Sequence, residues 1–170
     1  MIRRARPGDL RRLWELDQIC FEPGIAYSRA ELRRFLDLPR AKCLVAESAG
    51  AIDGFAVGYS DPPDLARVVT LDVHPSARRR GLGKELLERL LAELGEAGAG
   101  RAVLEVDVRN TGAIAFYRRL GFSTMRRIPD YYGPGLDAFE MVRGPGVTRS
   151  PAATGGGAEG SEIRRPPRGD

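Results

Sequence analysis

Residues 67–94 carry an apolar strand straight into a basic, glycine-bearing turn and then into a leucine-striped helix, and this junction restricts the chain more than any other stretch. The turn reads Val73-His74-Pro75-Ser76-Ala77-Arg78-Arg79-Arg80-Gly81-Leu82-Gly83-Lys84. In the helix that follows, Leu82, Leu86, Leu87, Leu90, Leu91 and Leu94 share one side, and Glu85, Glu88, Arg89, Glu93 and Glu96 the other. A stripe of that width has to be buried on a sheet. At the start of such a helix the first N–H groups have no intrahelical partner and carry the positive end of the macrodipole, so the turn is an anion site. Gly81 and Gly83 let an anion reach the main chain, and Arg78, Arg79, Arg80 and Lys84 add full charges.

Two common phosphate motifs fail at the residue level. A dinucleotide fingerprint needs a third glycine where the chain has Leu86, and a phosphate loop needs Ser or Thr where it has Glu85. The 170 residues suffice for one domain with a sizeable core. The net charge of +4 comes from 27 basic residues of which only Lys42 and Lys84 are lysine. Arginine is spread along the whole chain, so direct nucleic-acid binding is not expected. Cys20, Cys43 and a single His74 have no metal-ligand spacing, which argues against a zinc site of the usual kind. No apolar run approaches a membrane span, and a cytoplasmic protein without membrane contact is expected.

The remaining elements follow in order. Ile2 to Ala5 reads as a strand, and Asp9 is placed to cap a helix through Cys20 with Leu10, Leu13, Trp14, Leu16 and Asp17 on its apolar face. After an irregular connector, Phe21 to Tyr27, Ser28 and Glu31 form a capping box for a second helix carrying Leu32, Phe35, Leu36 and Leu38. Three strands are predicted at 42–47, 52–59 and 67–73. In the last of these, simple alternation puts Val69, Leu71 and Val73 on one face and Val68, Thr70 and Asp72 on the other. Arg101 to Val108 is a further strand, Asn110 caps a short helix ending at Gly121, and strands at 122–127 and 136–142 flank a connector at 129–135. From 144 to 170 the chain is Gly, Pro, Ser, Thr and Arg with little to bury, so a disordered tail is expected after a domain over 1–143.

Arg78-Arg79-Arg80-Gly81-Leu82-Gly83 resembles the Gln/Arg-x-x-Gly-x-Gly/Ala acyl-CoA motif of GNAT acetyltransferases. The order of elements over 1–143 is similar to that fold: α/β, with a mixed twisted central sheet and helices on both faces. Leu104 to Asn110, Ala113 to Phe122 and Asp130-Tyr131-Tyr132 resemble RimI-type protein N-terminal acetyltransferases. The resemblance implies that Leu71, Asp72 and Val73 hold the acetyl and pantetheine portion through their backbone. It assigns the pyrophosphate to the turn residues named above, Arg79 to Lys84, and a cofactor contact to Asn110, which also reads as a helix cap. Glu105 matches the general base and Tyr117 the general acid; outside the resemblance they read as a strand carboxylate paired with Arg and as a core tyrosine. Tyr27, Tyr131 and Tyr132 fall in the implied acceptor site, with Glu140 interrupting the last strand nearby.

The donor implied is acetyl-CoA as cosubstrate with no metal, and the partner a protein or peptide N-terminus, a ribosomal protein being one candidate. A thioester needs only a neutral amine held against it, donors for the oxyanion and a proton for the sulfur. A carboxylate deprotonates an α-amine, near pH 8, more readily than a lysine, near 10.4. A phenol near pKa 10 gives a proton to a thiolate near 8.5 only uphill, by about 2 kcal/mol, so Tyr117 is expected mainly to hydrogen-bond the sulfur. Acetylation of a small amine, a non-catalytic acyl-CoA-binding module and an Arg-rich nucleic-acid binder stay open as alternatives.

Overall fold

The computed structural model describes residues 1–61 and 64–144. The tail expected at 144–170 therefore lies, from 145 onward, outside the described residues. Seven strands form one sheet: β1 (Ile2–Arg4), β2 (Ala41–Ser48), β3 (Ala51–Asp61), β4 (Leu65–Val73), β5 (Arg101–Asp107), β6 (Ser123–Gly133) and β7 (Leu136–Arg143). Their spatial order is β1-β2-β3-β4-β5-β7-β6. All neighbours are antiparallel except β4 and β5, which the helical crossover makes parallel.

Helices α1 (Leu10–Cys20) and α2 (Arg29–Leu36) cover one face. Leu10, Leu13, Leu16, Leu32 and Phe35 pack there on Val45, Phe55 and Val57. Helices α3 (Leu82–Glu96) and α4 (Thr111–Arg119) cover the other, where the leucine stripe of α3 meets Leu44, Ala56, Val68 and Leu104. Glycines in β3 bring α3 close: a Cβ at Gly54 would lie 2.8 Å from the Asp72 carbonyl and 3.2 Å from Leu86, and one at Gly58 2.8 Å from the Arg67 carbonyl. The α2 start is as expected, with Ser28 Oγ accepting from Glu31 N–H and Glu31 accepting from Ser28 N–H. Leu38 lies past the end of α2.

Three details differ from the sequence expectation. Asp9 does not cap α1 through its side chain. Its carboxylate accepts from the Arg6 N–H at 2.7 Å and from Arg3 at 2.8 Å, closing the 3-10 turn Pro7–Asp9 instead. The last hairpin is longer, because β6 continues through 129–133 with a register irregularity between Ile128 and Gly133. Pro129 is tolerated since β6 is the outermost strand of the sheet. Most consequential is β4, where Thr70 faces Val57 and Val68 faces Gly58, leaving Val69 as a bulge. The extra residue changes the phase of the strand. Ala66 and Val68 belong to the α3 core, Val69 packs with the α1 core, and Leu71 and Val73 return to the α3 side.

The new phase buries Asp72 against α1, where it is 1% exposed beside Asp17, 0% exposed. Asp17 accepts from the Tyr27 N–H at 2.7 Å and Asp72 from the Thr70 hydroxyl at 2.6 Å. Burial first, and then the charge of Asp17, hold the Asp72 carboxyl well above the ordinary range. The fold therefore favours protonation of the pair. A carboxyl raised on folding contributes stability below its unfolded value, near 4, that is lost as pH rises through the folded value. Asp72→Asn removes this dependence, so its melting temperature should match the native protein near pH 4 and exceed it by a few degrees near pH 8. Thermal unfolding followed across that range checks the sign.

Candidate functional site

The parallel ladder between β4 and β5 spans only Leu65 to Arg67 on one strand and Arg101 to Val103 on the other. Beyond it both strands run on, β4 to Val73 and β5 to Asp107, around a cavity of about 1150 Å3. The bulge at Val69 lies where the strands part and bends β4. Main-chain groups on the facing edges, which a continuous sheet would pair, are thereby available to a ligand. Both layers contribute walls: Cys20, Ile25 and Tyr27 from the α1 side, and Gly83, Phe116 and Tyr117 from the α3–α4 side. The cleft thus opens through the sheet.

At one end lies the basic turn. Arg79 (φ 63°) and Gly81 (φ 81°) both adopt left-handed backbone, which turns the chain into α3 with Gly81, Leu82, Gly83 and Lys84 on the cavity wall. The Glu85 N–H to Gly81 carbonyl bond, 3.0 Å, is the first of the helix. The N–H groups of Leu82, Gly83 and Lys84 consequently have no intrahelical acceptor. A Cβ on Gly83 would meet Val73 at 3.5 Å and Phe116 at 3.6 Å, ordinary contact distances. Protein packing does not require glycine there; an anion seated on the main chain does, which fits a CoA pyrophosphate.

Arg78 Nε donates to the Val73 carbonyl at 2.9 Å, bracing the turn, while Arg79 lines the cavity and Arg80 does not. Lys84 lines it too and lies 3.9 Å from Glu88. Leu71 and Val73 line the cavity, whereas the Asp72 side chain is turned to α1, leaving only its main chain on this strand edge. Asn110 Oδ1 accepts from the Ala113 N–H at 3.1 Å and Asn110 is also on the cavity wall, so the capping and cofactor-side placements coexist.

Glu105 projects from β5 where the strands have parted. Arg67 of β4 approaches it at 3.7 Å, and Tyr131 hydrogen-bonds it. Burial raises its pKa above the ordinary carboxylate value and neighbouring Glu140 adds to this, against the lowering effects of Arg67 and Tyr131. Tyr117 is held on α4 by edge-to-face contacts with Phe116, 5.3 Å, and Phe122, 5.8 Å between centroids. Burial, reinforced by the charge of Asp72, pushes its phenol well above the usual 10. The hydroxyl is therefore a proton-holding donor. Tyr27 donates to the Val69 carbonyl at 3.4 Å, and Tyr131 and Tyr132 stack edge-to-face at 4.8 Å; all three line the cavity.

Residues 10–122 match the Acetyltransferase (GNAT) family. The chain belongs to the GNAT acetyltransferase family. Its relatives include an N-alpha-acetyltransferase MAK3 of Arabidopsis thaliana, 34% identical over 129 residues, 74% of this chain and 66% of that protein. The N-alpha-acetyltransferase RimI of Mycobacterium tuberculosis is 34% identical over 143 residues, 81% of this chain and 88% of that one. The crystal structure of the ribosomal-protein-S18-alanine N-acetyltransferase from Escherichia coli superposes with a TM-score of 0.76 at 27% identity, covering 91% of this chain and 96% of the other. The chain spans just under two thirds of the length of the Arabidopsis relative.

Three arginines of this GNAT site escaped the sequence reading. Arg67 is brought to Glu105 by the β4–β5 alignment. Arg126 pairs with Glu140, whose only signal was a charge in an apolar strand. Arg109 binds both Asp107 and Glu22, fastening the α1–α2 connector to the end of β5 across the cavity. Among the described residues no group of three or more His, Cys, Asp or Glu side chains could hold a metal ion, and no helix is long and apolar enough to cross a membrane. Because helix interiors favour alanine over glycine, Gly83→Ala should melt at or slightly above the native temperature. Its KM for acetyl-CoA should nevertheless rise about tenfold, a separation that thermal unfolding and initial rates measured together will display.

Proposed function

We propose that this chain transfers the acetyl group of acetyl-CoA to the α-amine of a protein or peptide N-terminus by direct attack in a ternary complex. The observation that carries the proposal is the cleft through the sheet, which puts Glu105 and Tyr117 on opposite layers of one cavity whose far end is the basic turn. The amine enters from the α1–α2 face, and Glu105 accepts its proton directly or through water. Its nitrogen attacks the thioester carbon, an N–H from the 71–73 segment supports the developing oxyanion, and the C–S bond breaks. Tyr117 hydrogen-bonds the departing sulfur, which takes the second proton lost by the attacking nitrogen and ends as a thiol. Cys20 also lines the cavity, but burial pushes its thiol up to about 11. A thiol so rarely ionised near neutrality favours direct transfer over an acetyl-cysteine route.

The protein N-terminus as acceptor is supported by the relatives whose names specify N-alpha-acetyltransferase activity. A ribosomal protein as partner and a cytoplasmic setting belong to the same proposal; the partner alone is supported, by the E. coli protein named for acetylation of ribosomal protein bS18.

Incubation with acetyl-CoA and a library of short peptides, read by mass spectrometry, should give N-terminally acetylated products. Glu105→Gln and Tyr117→Phe should each lower kcat by about a hundredfold or more with little change in the KM for acetyl-CoA. Products on free small amines but on no peptide would select a small-molecule acetyltransferase. Thermal stabilisation by acetyl-CoA with no product on any amine would select a binding module. In the native protein, protonation of Glu105 should depress kcat/KM on the acid side at a pH above that of an ordinary carboxylate. Glu105→Gln should lose that inflection and retain only the one set by the amine.

A further inference from the structure

A second cavity of about 200 Å3 branches from the main one on the α1–α2 face, and Tyr27, Val69, Glu105 and Tyr131 line both. It is smaller than an ordinary ligand pocket, which starts at roughly 300 Å3, and suits one side chain. Glu105 stands at the junction. An amine held there directs the side chain of its own residue into the branch.

The far wall of the branch is built from charges. Glu105 on β5 lies directly opposite Glu140 on β7, and Glu140 opposite Arg126 on β6. Arg126 Nε and Nη2 donate to the two Glu140 oxygens at 2.9 and 3.1 Å, and Glu140 is only 5% exposed. Arg67 Nε is bound to Asp61 at 3.2 Å, while its Nη1 stands 3.7 Å from Glu105, beyond hydrogen-bond length. Arg67 and Arg126 face Glu105 and Glu140 in the branch, with Asp61 bound to Arg67, so a charged guest meets a like charge whichever its sign. Each Glu140 oxygen retains a lone pair, and Arg67 retains N–H groups to donate. A hydroxyl can use both. An aliphatic side chain would displace water from these groups and return no hydrogen bond.

We propose that the Arg126–Glu140 pair, together with Arg67, selects acceptors whose first residue is serine or threonine. This rests on the reading that the chain acetylates peptide α-amines.

The test uses peptides identical except at the first residue, which is Ser, Thr, Ala, Met, Leu or Glu. For the full chain, kcat/KM should be about tenfold or more higher for Ser and Thr than for Leu and Met. Arg126→Met/Glu140→Leu exchanges the ion pair for apolar groups of similar volume, a change that folded proteins commonly tolerate. It should raise the Leu-to-Ser ratio about tenfold. A native preference for Leu or Met, equal rates at every first residue, or an unmoved ratio in a double variant that melts cooperatively would overturn the proposal. If the double variant does not fold, the native profile decides alone. Acetylation of no peptide at all would instead defeat the acceptor reading itself, and the selectivity with it.

Discussion

The structure depends on the place where β4 and β5 stop pairing. Parallel strands in an open sheet ordinarily keep their ladder, because each unpaired N–H or C=O buried away from water is costly. Here the ladder ends after Arg67 and Val103, and the two strands continue apart for the rest of their length. The bulge at Val69 bends β4 at that point, while β3 on its other side and α3 beneath it hold the strand in the sheet. The separation is thus a consequence of packing on both layers. It turns a structural sheet into a passage that admits one reactant from each face.

Burial sets the chemistry at this passage. Glu105 is raised toward the operating range of a base, and the same upward push holds the phenol of Tyr117 and the thiol of Cys20 in their protonated forms. The same low-dielectric surroundings raise the Asp72 carboxyl where α1 packs on β4 next to the site. Charge on the acceptor side is handled differently, by cross-strand pairing of Arg67, Glu105, Glu140 and Arg126.

What could be read from the chain and what could not divides along the range of the interaction. The leucine stripe of α3, the capping box at Ser28 and Glu31 and the cap at Asn110 are local, and each was legible. Glu105, Tyr117 and the basic turn were singled out as motif positions, and the structure gathers them on one cavity. The phase change in β4 was not, because a bulge is set by register with β3, and Thr70 carries no local mark of it. Arg67 and Arg126 could be attached to the site only through strands distant in sequence. Asp17 and Asp72 each fall among apolar residues in the sequence, yet their meeting required α1 to be docked on the sheet. The extension of β6 through Pro129 depended on its being an edge strand, a property of the whole sheet order.

The central claim is that donor and acceptor meet in the opening between β4 and β5. The structure of this chain with a peptide–CoA conjugate, joined through the peptide α-nitrogen, tests it most directly. The account predicts pantetheine against the 71–73 main chain, the pyrophosphate on the Gly81–Lys84 turn and the joining nitrogen within hydrogen-bond or one-water reach of Glu105. A conjugate lying wholly on one face of the sheet, with its joining atom remote from Glu105, would contradict it.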